Sequence, residues 1–271
     1  MPPVLPTLFL SHGSPMHAVR PGPAGAAWAA LGRRLPRPKA ILMASAHWES
    51  SIALLSGSRH PETVHDFGGF PRELYAIEYA APGAPDIATR AAELLRLAGI
   101  TAGIDGCRGL DHGAWVPLLQ MYPAHDVPVV QVSLQPALGG AHHLALGRAL
   151  APLSREGVLI VGSGHATHNL RDWVAHRSTA GPLPYVSAFT EWLAARVDAR
   201  DVESLVDYRD RAPEAMRAHP TEEHYLPLLV ALGAATPDAR AERVVTGYEG
   251  AALAMDGWLF EPAAAGVKAA A

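Results

Sequence analysis

Cysteine is almost absent. Cys107 stands alone in 271 residues, which excludes an intrachain disulfide framework and any cysteine-based zinc cluster. Lysine is scarce, and the 22 basic and 26 acidic residues leave a net charge of −4 with no Lys/Arg-rich run. Without such a stripe nucleic acid is not expected as a partner. No apolar segment approaches the ~20 residues needed to cross a bilayer, and the opening MPPVLPTLFL has no basic region ahead of its short apolar run. A cytoplasmic protein without membrane contact is expected. The chain also lacks G-x-x-x-x-G-K-[ST], G-x-G-x-x-G, H-E-x-x-H and the Ser-centred elbow G-x-S-x-G, which removes the usual routes to nucleotide binding, zincin proteolysis and serine hydrolysis.

What the chain does have is apolar residues, 49% of the total, and fourteen histidines. The first is enough for a substantial core. Residues 5–11, 40–46, 51–56, 127–134 and 157–162 read as strands, mostly too uniformly apolar to be half exposed, and AERVVTGYEG with LAMDGWLFE offers a late pair. Helical spacing falls at about 24–34, 85–98, 113–122, 141–154, 184–197 and 222–233. Strands alternating with helices predict an α/β single domain over 1–262, with a central largely parallel or mixed sheet flanked by helices and the active site at the strand C-terminal ends. The segment 60–83 is long, irregular and rich in Pro, Gly and aromatic residues, as functional loops often are. The Ala-rich tail 263–271 is expected to be flexible.

The histidines are not scattered at random. TLFLSHGSPM ends an apolar run on His12, AILMASAHW on His47, and GVLIVGSGHATH on His165 and His168. In open α/β sheets ligands bind beyond the carboxyl ends of the strands, so these runs share a destination. For any one of them a strand-end histidine bonded to a loop is an equally good reading; their convergence is what points to a site. HPTEEHYLPLLVALG adds His224, read as lying in a first helical turn capped by Thr221, where Glu222 and Glu223 answer the helix dipole and a neutral imidazole suits metal ligation. GLDHGAW adds His112 behind a capping Asp111. Imidazole is the commonest metal ligand and suits Zn, Fe, Cu or Ni.

In order along nearly the whole chain, FLSHGSP, LPRPKAILMASAHW, VHDFGGFPRELY, GLDHGAW, PVVQVSL, GSGHATHNLR and HPTEEHYLPLL resemble the class III extradiol ring-cleavage dioxygenases, in the branch of bacterial and plant DOPA 4,5-dioxygenases. That resemblance implies a metal held by His12, His47 and His224, with Glu222 and Glu223 beside the third position. It implies His168 as acid/base residue or further ligand and His112 as its catalytic partner. It also implies Fe(II) as the working metal, with Zn able to occupy the site as purified, and O2 plus a catechol such as DOPA or a related catecholic acid as substrates. Ser14, His65, His165, Arg171 and Tyr225 are taken as substrate-binding residues on position alone. Two other readings stand beside this one: a metal-binding or interaction protein of the same fold, and a zinc hydrolase. A pure binding module would have no use for the acid/base pair.

Overall fold

The computed structural model describes residues 4–263. Alternation along the strands builds two cores, one on each face of a single sheet. In β1 (Thr7–Ser11), Leu8 and Leu10 face one core and Phe9 the other; in β2 (Ala40–Glu49), Ile41 and Met43 oppose Leu42 and Ala44 in the same way. Successive side chains of a strand point to opposite faces, so an unbroken apolar run requires cover on both.

The remaining strands are β3 (Ala53–Ser56), β4 (Ala102–Asp105), β5 (Val129–Leu134), β6 (Val158–Gly164), β7 (Arg240–Val245), β8 (Tyr248–Glu249), β9 (Leu253–Ala254) and β10 (Gly257–Glu261). Eight of them form one sheet in the order β4-β3-β5-β2-β6-β1-β10-β7, and β8 pairs with β9 alone. The centre, β5-β2-β6-β1, is parallel; β3 and β10 join it antiparallel. The sheet is therefore mixed, with its parallel strands in the middle. Helices α1 (Gly22–Arg34) and α3 (His112–Met121) cover one face. The other is covered by α2 (Pro85–Leu97), α4 (Gly139–Leu150), the helix Pro184–Asp198 and the helix Leu226–Ala234. No helix among the described residues is long and apolar enough to cross a membrane.

Three sequence expectations need correction. The helix read from 222 begins only at Leu226, because Thr221 does not cap it: its hydroxyl donates to Glu223, and residues 222–226 close a turn through Tyr225 N–H and Leu226 N–H to Glu222 O. His224 thus precedes the helix. The helix read over 141–154 breaks at Ala151, with a separate turn at Pro152–Arg155. β4 was not foreseen, being a short, half-exposed strand with little apolar signal. The flexible tail expected over 263–271 lies, from residue 264, outside the described residues.

The helix Leu226–Ala234 is buried on every side, as an apolar helix inside a domain should be. It reaches β6 because glycine leaves room: a Cβ on Gly162 would fall 2.0 Å from Pro227 O, and one on Gly164 2.1 Å from His224 O. Gly162→Ala should therefore cost about 1–3 kcal/mol, the usual scale of overpacking. Urea unfolding measures it, and a midpoint equal to that of the wild type would mean that the helix can retreat from the sheet.

Candidate metal centre and active site

His12 leaves β1 at its carboxyl end, and His47 stands where the β2–β5 register shifts between Ala44 and Glu49. Such an irregularity re-aims a side chain that a regular strand would fix. His224 arrives from the turn ahead of the buried helix and is tied to β6 by His165 N–H donating to His224 O at 2.8 Å. The three rings meet with centroids 4.9 Å (His12 to His47), 5.0 Å (His47 to His224) and 5.4 Å (His12 to His224) apart. One ring nitrogen from each lies within 4.8 Å of the others.

Polar partners, hydrogen bonds for His12 and His224 and a carboxylate contact for His47, set which nitrogen of each ring points inward. Ser163 Oγ donates to Gly113 O at 2.5 Å, so it accepts from His12 Nδ1 at 3.0 Å. Glu223 Oε1 accepts from His224 Nδ1 at 2.9 Å, and Asp66 Oδ2 faces His47 Nδ1 at 3.5 Å. Each Nδ1 carries its proton toward an oxygen, which leaves each Nε2 a lone pair. This is the outer-sphere pattern of ligating histidines. His12 Nε2 and His47 Nε2 then face one another at 3.0 Å, and His224 Nε2 is buried without a hydrogen-bond partner among the described residues. Lone pairs so placed repel unless a cation lies between them, so the donor set fits a metal ion. Burial, reinforced by the neighbouring imidazoles, holds His12 and His224 well below the usual histidine range and keeps them neutral, as ligation requires.

His112 opens α3, its ring 4.0 Å from that of His47. Asp66 Oδ1 accepts from its backbone N–H at 2.9 Å and from its Nδ1 at 3.0 Å. Burial opposes ionisation of Asp66, yet the bonds from His112 outweigh it and draw the carboxyl down to about 2. Behind them Asp111, fully buried, caps α3 through Ala114 N–H and accepts from Ser45 Oγ (2.7 Å), Arg108 Nη2 (2.8 Å) and Gln131 Nε2 (2.6 Å). Arg108 Nη2 also donates to His47 O at 3.1 Å. One carboxylate thus joins the strand of His47 to the helix of His112.

His168 stacks on His224, centroids 3.4 Å apart and planes inclined by 12°. Burial is the main cause that pushes its pKa well below the usual range. The cavity floored by His12, His47, His112 and His168 holds about 300 Å³ and is walled by Ser14, Phe67, Phe70, Trp173 and Glu249 among others. His165 lines it too, but both of its nitrogens are engaged: Nδ1 with Ala254 O at 3.2 Å, and Nε2 accepting Gly13 N–H at 3.1 Å.

Three of the substrate-binding expectations do not reach this cavity. Tyr225 is fully buried beneath the fold, its hydroxyl donating to Leu205 O at 2.8 Å and its ring stacked on Tyr208. His65 turns to Ile77 O at 3.1 Å and lines a separate surface groove. Arg171 is exposed in an outer groove that shares only His168 and Leu170 with the cavity. Conversely, Asp66, Phe67, Phe70, Trp173 and Glu249 were not singled out as site residues. The only sequence signal was the unusual 60–83 loop, which carries the first three.

Residues 6–252 match the family model of the catalytic LigB subunit of aromatic ring-opening dioxygenase. The chain is 41% identical over 258 residues to a Beta vulgaris protein named 4,5-DOPA dioxygenase extradiol, covering 94% of this chain and 96% of that one. It is 40% identical over 254 residues to the Escherichia coli (strain K12) protein of the same name, covering 93% of each. A crystal structure of an uncharacterized Escherichia coli K12 protein superposes with a TM-score of 0.80 at 35% identity, over 94% of this chain and 99% of that one.

The inward Nε2 lone pairs make a direct expectation for metal retention. His12→Ala, His47→Ala and His224→Ala should each lose most bound metal on dialysis, whereas His165→Gln should keep it. Elemental analysis decides; metal retained at wild-type level in any of the three alanine variants would remove that residue from the ligand set.

Proposed function

This chain belongs to the LigB family of aromatic ring-opening dioxygenases, metal-dependent extradiol enzymes that act on catechols with O2, and from that premise we propose a DOPA-like catechol as its substrate and Fe(II) as its metal. Residues 1–262 form the catalytic domain in this reading, and a lone cysteine suits a reducing cytoplasm. The observation that carries it is the convergence of the Nε2 lone pairs of His12, His47 and His224 beside a cavity that His12 and His47 line and whose wall holds the His112–Asp66 pair.

His12, His47 and His224 would hold the metal, which when bound supplies chelation of the two catechol oxygens and activation of O2 at its open positions. Glu222 faces Arg209, and Glu223 is occupied by His224 Nδ1 and Thr221. The neighbouring carboxylates therefore serve as supports, and His224 is the third ligand. His168, its ring stacked on that of His224, is assigned here to proton transfer rather than to the ligand set.

Proton movement falls to His112 and His168. With Nδ1 donating to Asp66, His112 keeps Nε2 free to take a proton from a catechol hydroxyl, and the carboxylate stabilises the imidazolium that results. His168, held neutral by burial, also begins as a base. It lines both the cavity and the outer groove, which gives it a route to solvent for the proton later returned to the opened ring. Phe67 and Phe70 flank a flat aromatic ring.

Protein reconstituted with Fe(II) under nitrogen and then mixed with DOPA in air should consume O2 and turn yellow, the colour of the semialdehyde made by extradiol opening. His112→Gln and His168→Gln should lower kcat by a factor on the order of 10²–10⁴, as loss of a positioned acid or base does, with metal content kept. Loss of iron from His168→Gln would instead make it a ligand. Neither colour nor O2 uptake with DOPA, from protein that still holds reduced iron, would rule out that substrate.

A further inference from the structure

The cavity has two ends of different chemistry. Its floor is histidine, while the wall formed by β8 brings in Glu249, and no lysine or arginine lines it among the described residues. Glu249 Oε2 accepts Ser14 N–H at 2.9 Å and contacts His17 Nε2 at 3.3 Å. Its Oε1 accepts no hydrogen bond among the described residues and is not shut off from solvent. The carboxylate is thus half used, and its free oxygen belongs to a residue lining a catechol-sized space. Burial opposes its ionisation, but the bonds from His17 and Ser14 outweigh this and keep it charged.

An aromatic wall stands beside it. Trp173, from the helix Leu170–Ala175, presses on the turn that follows Glu249, so that a Cβ on Gly250 would fall 2.8 Å from its Nε1. Phe70 and Trp173 line the same cavity. A carboxylate with a free oxygen among aromatic rings attracts a cation, through charge-assisted hydrogen bonding and through the ring quadrupoles. An anion of the same size gains neither contact.

We infer that Glu249 is a specificity-determining residue, which with Trp173 receives the protonated amine of a catechol's side chain. The preferred substrates are then catechols bearing an ammonium group on a short tail, and catecholic acids lacking one are disfavoured. This rests on the reading that the cavity takes a catechol at the three histidines.

The test is equilibrium binding to the zinc-loaded protein under nitrogen, where no turnover intervenes, with three catechols differing at the tail: dopamine, 4-ethylcatechol and 3-(3,4-dihydroxyphenyl)propionate. Calorimetry should rank them in that order, dopamine binding at least about tenfold more tightly than the propionate, which corresponds to one partly buried charge contact. Glu249→Gln should bring dopamine to within about threefold of 4-ethylcatechol. Because 4-ethylcatechol reports any general disturbance of the Ser14 turn, the ratio isolates the charge. Equal or reversed affinities in the wild type, or an unchanged ratio in Glu249→Gln, overturn the inference while 4-ethylcatechol binding leaves the catechol site standing. If none of the three binds, this inference and the catechol reading of the cavity fall together.

Discussion

Three neutral imidazoles are forced to aim lone pairs at one another inside the protein, and most of the local structure exists to hold them there. Water would relieve the arrangement at once, so the rings must be kept out of it and each remaining N–H given a partner. Ser163, Asp66 and Glu223 supply those partners from three different segments. A buried polar group without a partner costs 1–3 kcal/mol, so each support also prevents its ring from turning over. The Nε2 lone pairs, that of His224 buried without a partner among the described residues, are what a cation would satisfy.

Holding three rings so closely requires backbones closer than side chains normally allow. Gly162 and Gly164 let the segment around His224 and Pro227 lie directly on β6. The register shift in β2 turns His47 inward, and Gly13, at φ +65°, turns the chain sharply after His12, a conformation that costs glycine nothing. Asp111 then locks α3 to β2 and β5, so that His112 cannot move independently of His47. Such a network is worth most where every member is satisfied, and both carboxylate oxygens of Asp111 are.

Much of this was legible in the sequence, for identifiable reasons. His12, His47 and His165 stood out because buried parallel strands are continuous apolar runs, and a histidine just past the end of such a run lies at the functional edge of the sheet. His224 was visible, but its place was misread by a few residues: Pro227 in the first helical turn fits a start at Leu226 better than a cap at Thr221. Tyr225 was misassigned because neighbours in a turn point different ways, the His224 ring toward His12 and His47 and the next into the core against Tyr208. Asp66 and Glu249 could not be read at all, since a single acidic residue in a loop acquires meaning only from what tertiary structure sets beside it. Asp66 lies 46 residues from the histidine it orients, and Glu249 lies 235 from the serine whose N–H it accepts.

The distribution of charge around the cavity follows from the same economy. Around His12, His47 and His224 the carboxylates face histidine N–H groups, which neutral rings need and a catechol does not. The cations lie beyond His168, in the outer groove: Arg217 is already bound to Asp172 at 2.8 Å, whereas Arg171 forms no ion pair among the described residues. A tail carrying only a carboxylate would meet Glu249 before it met any arginine.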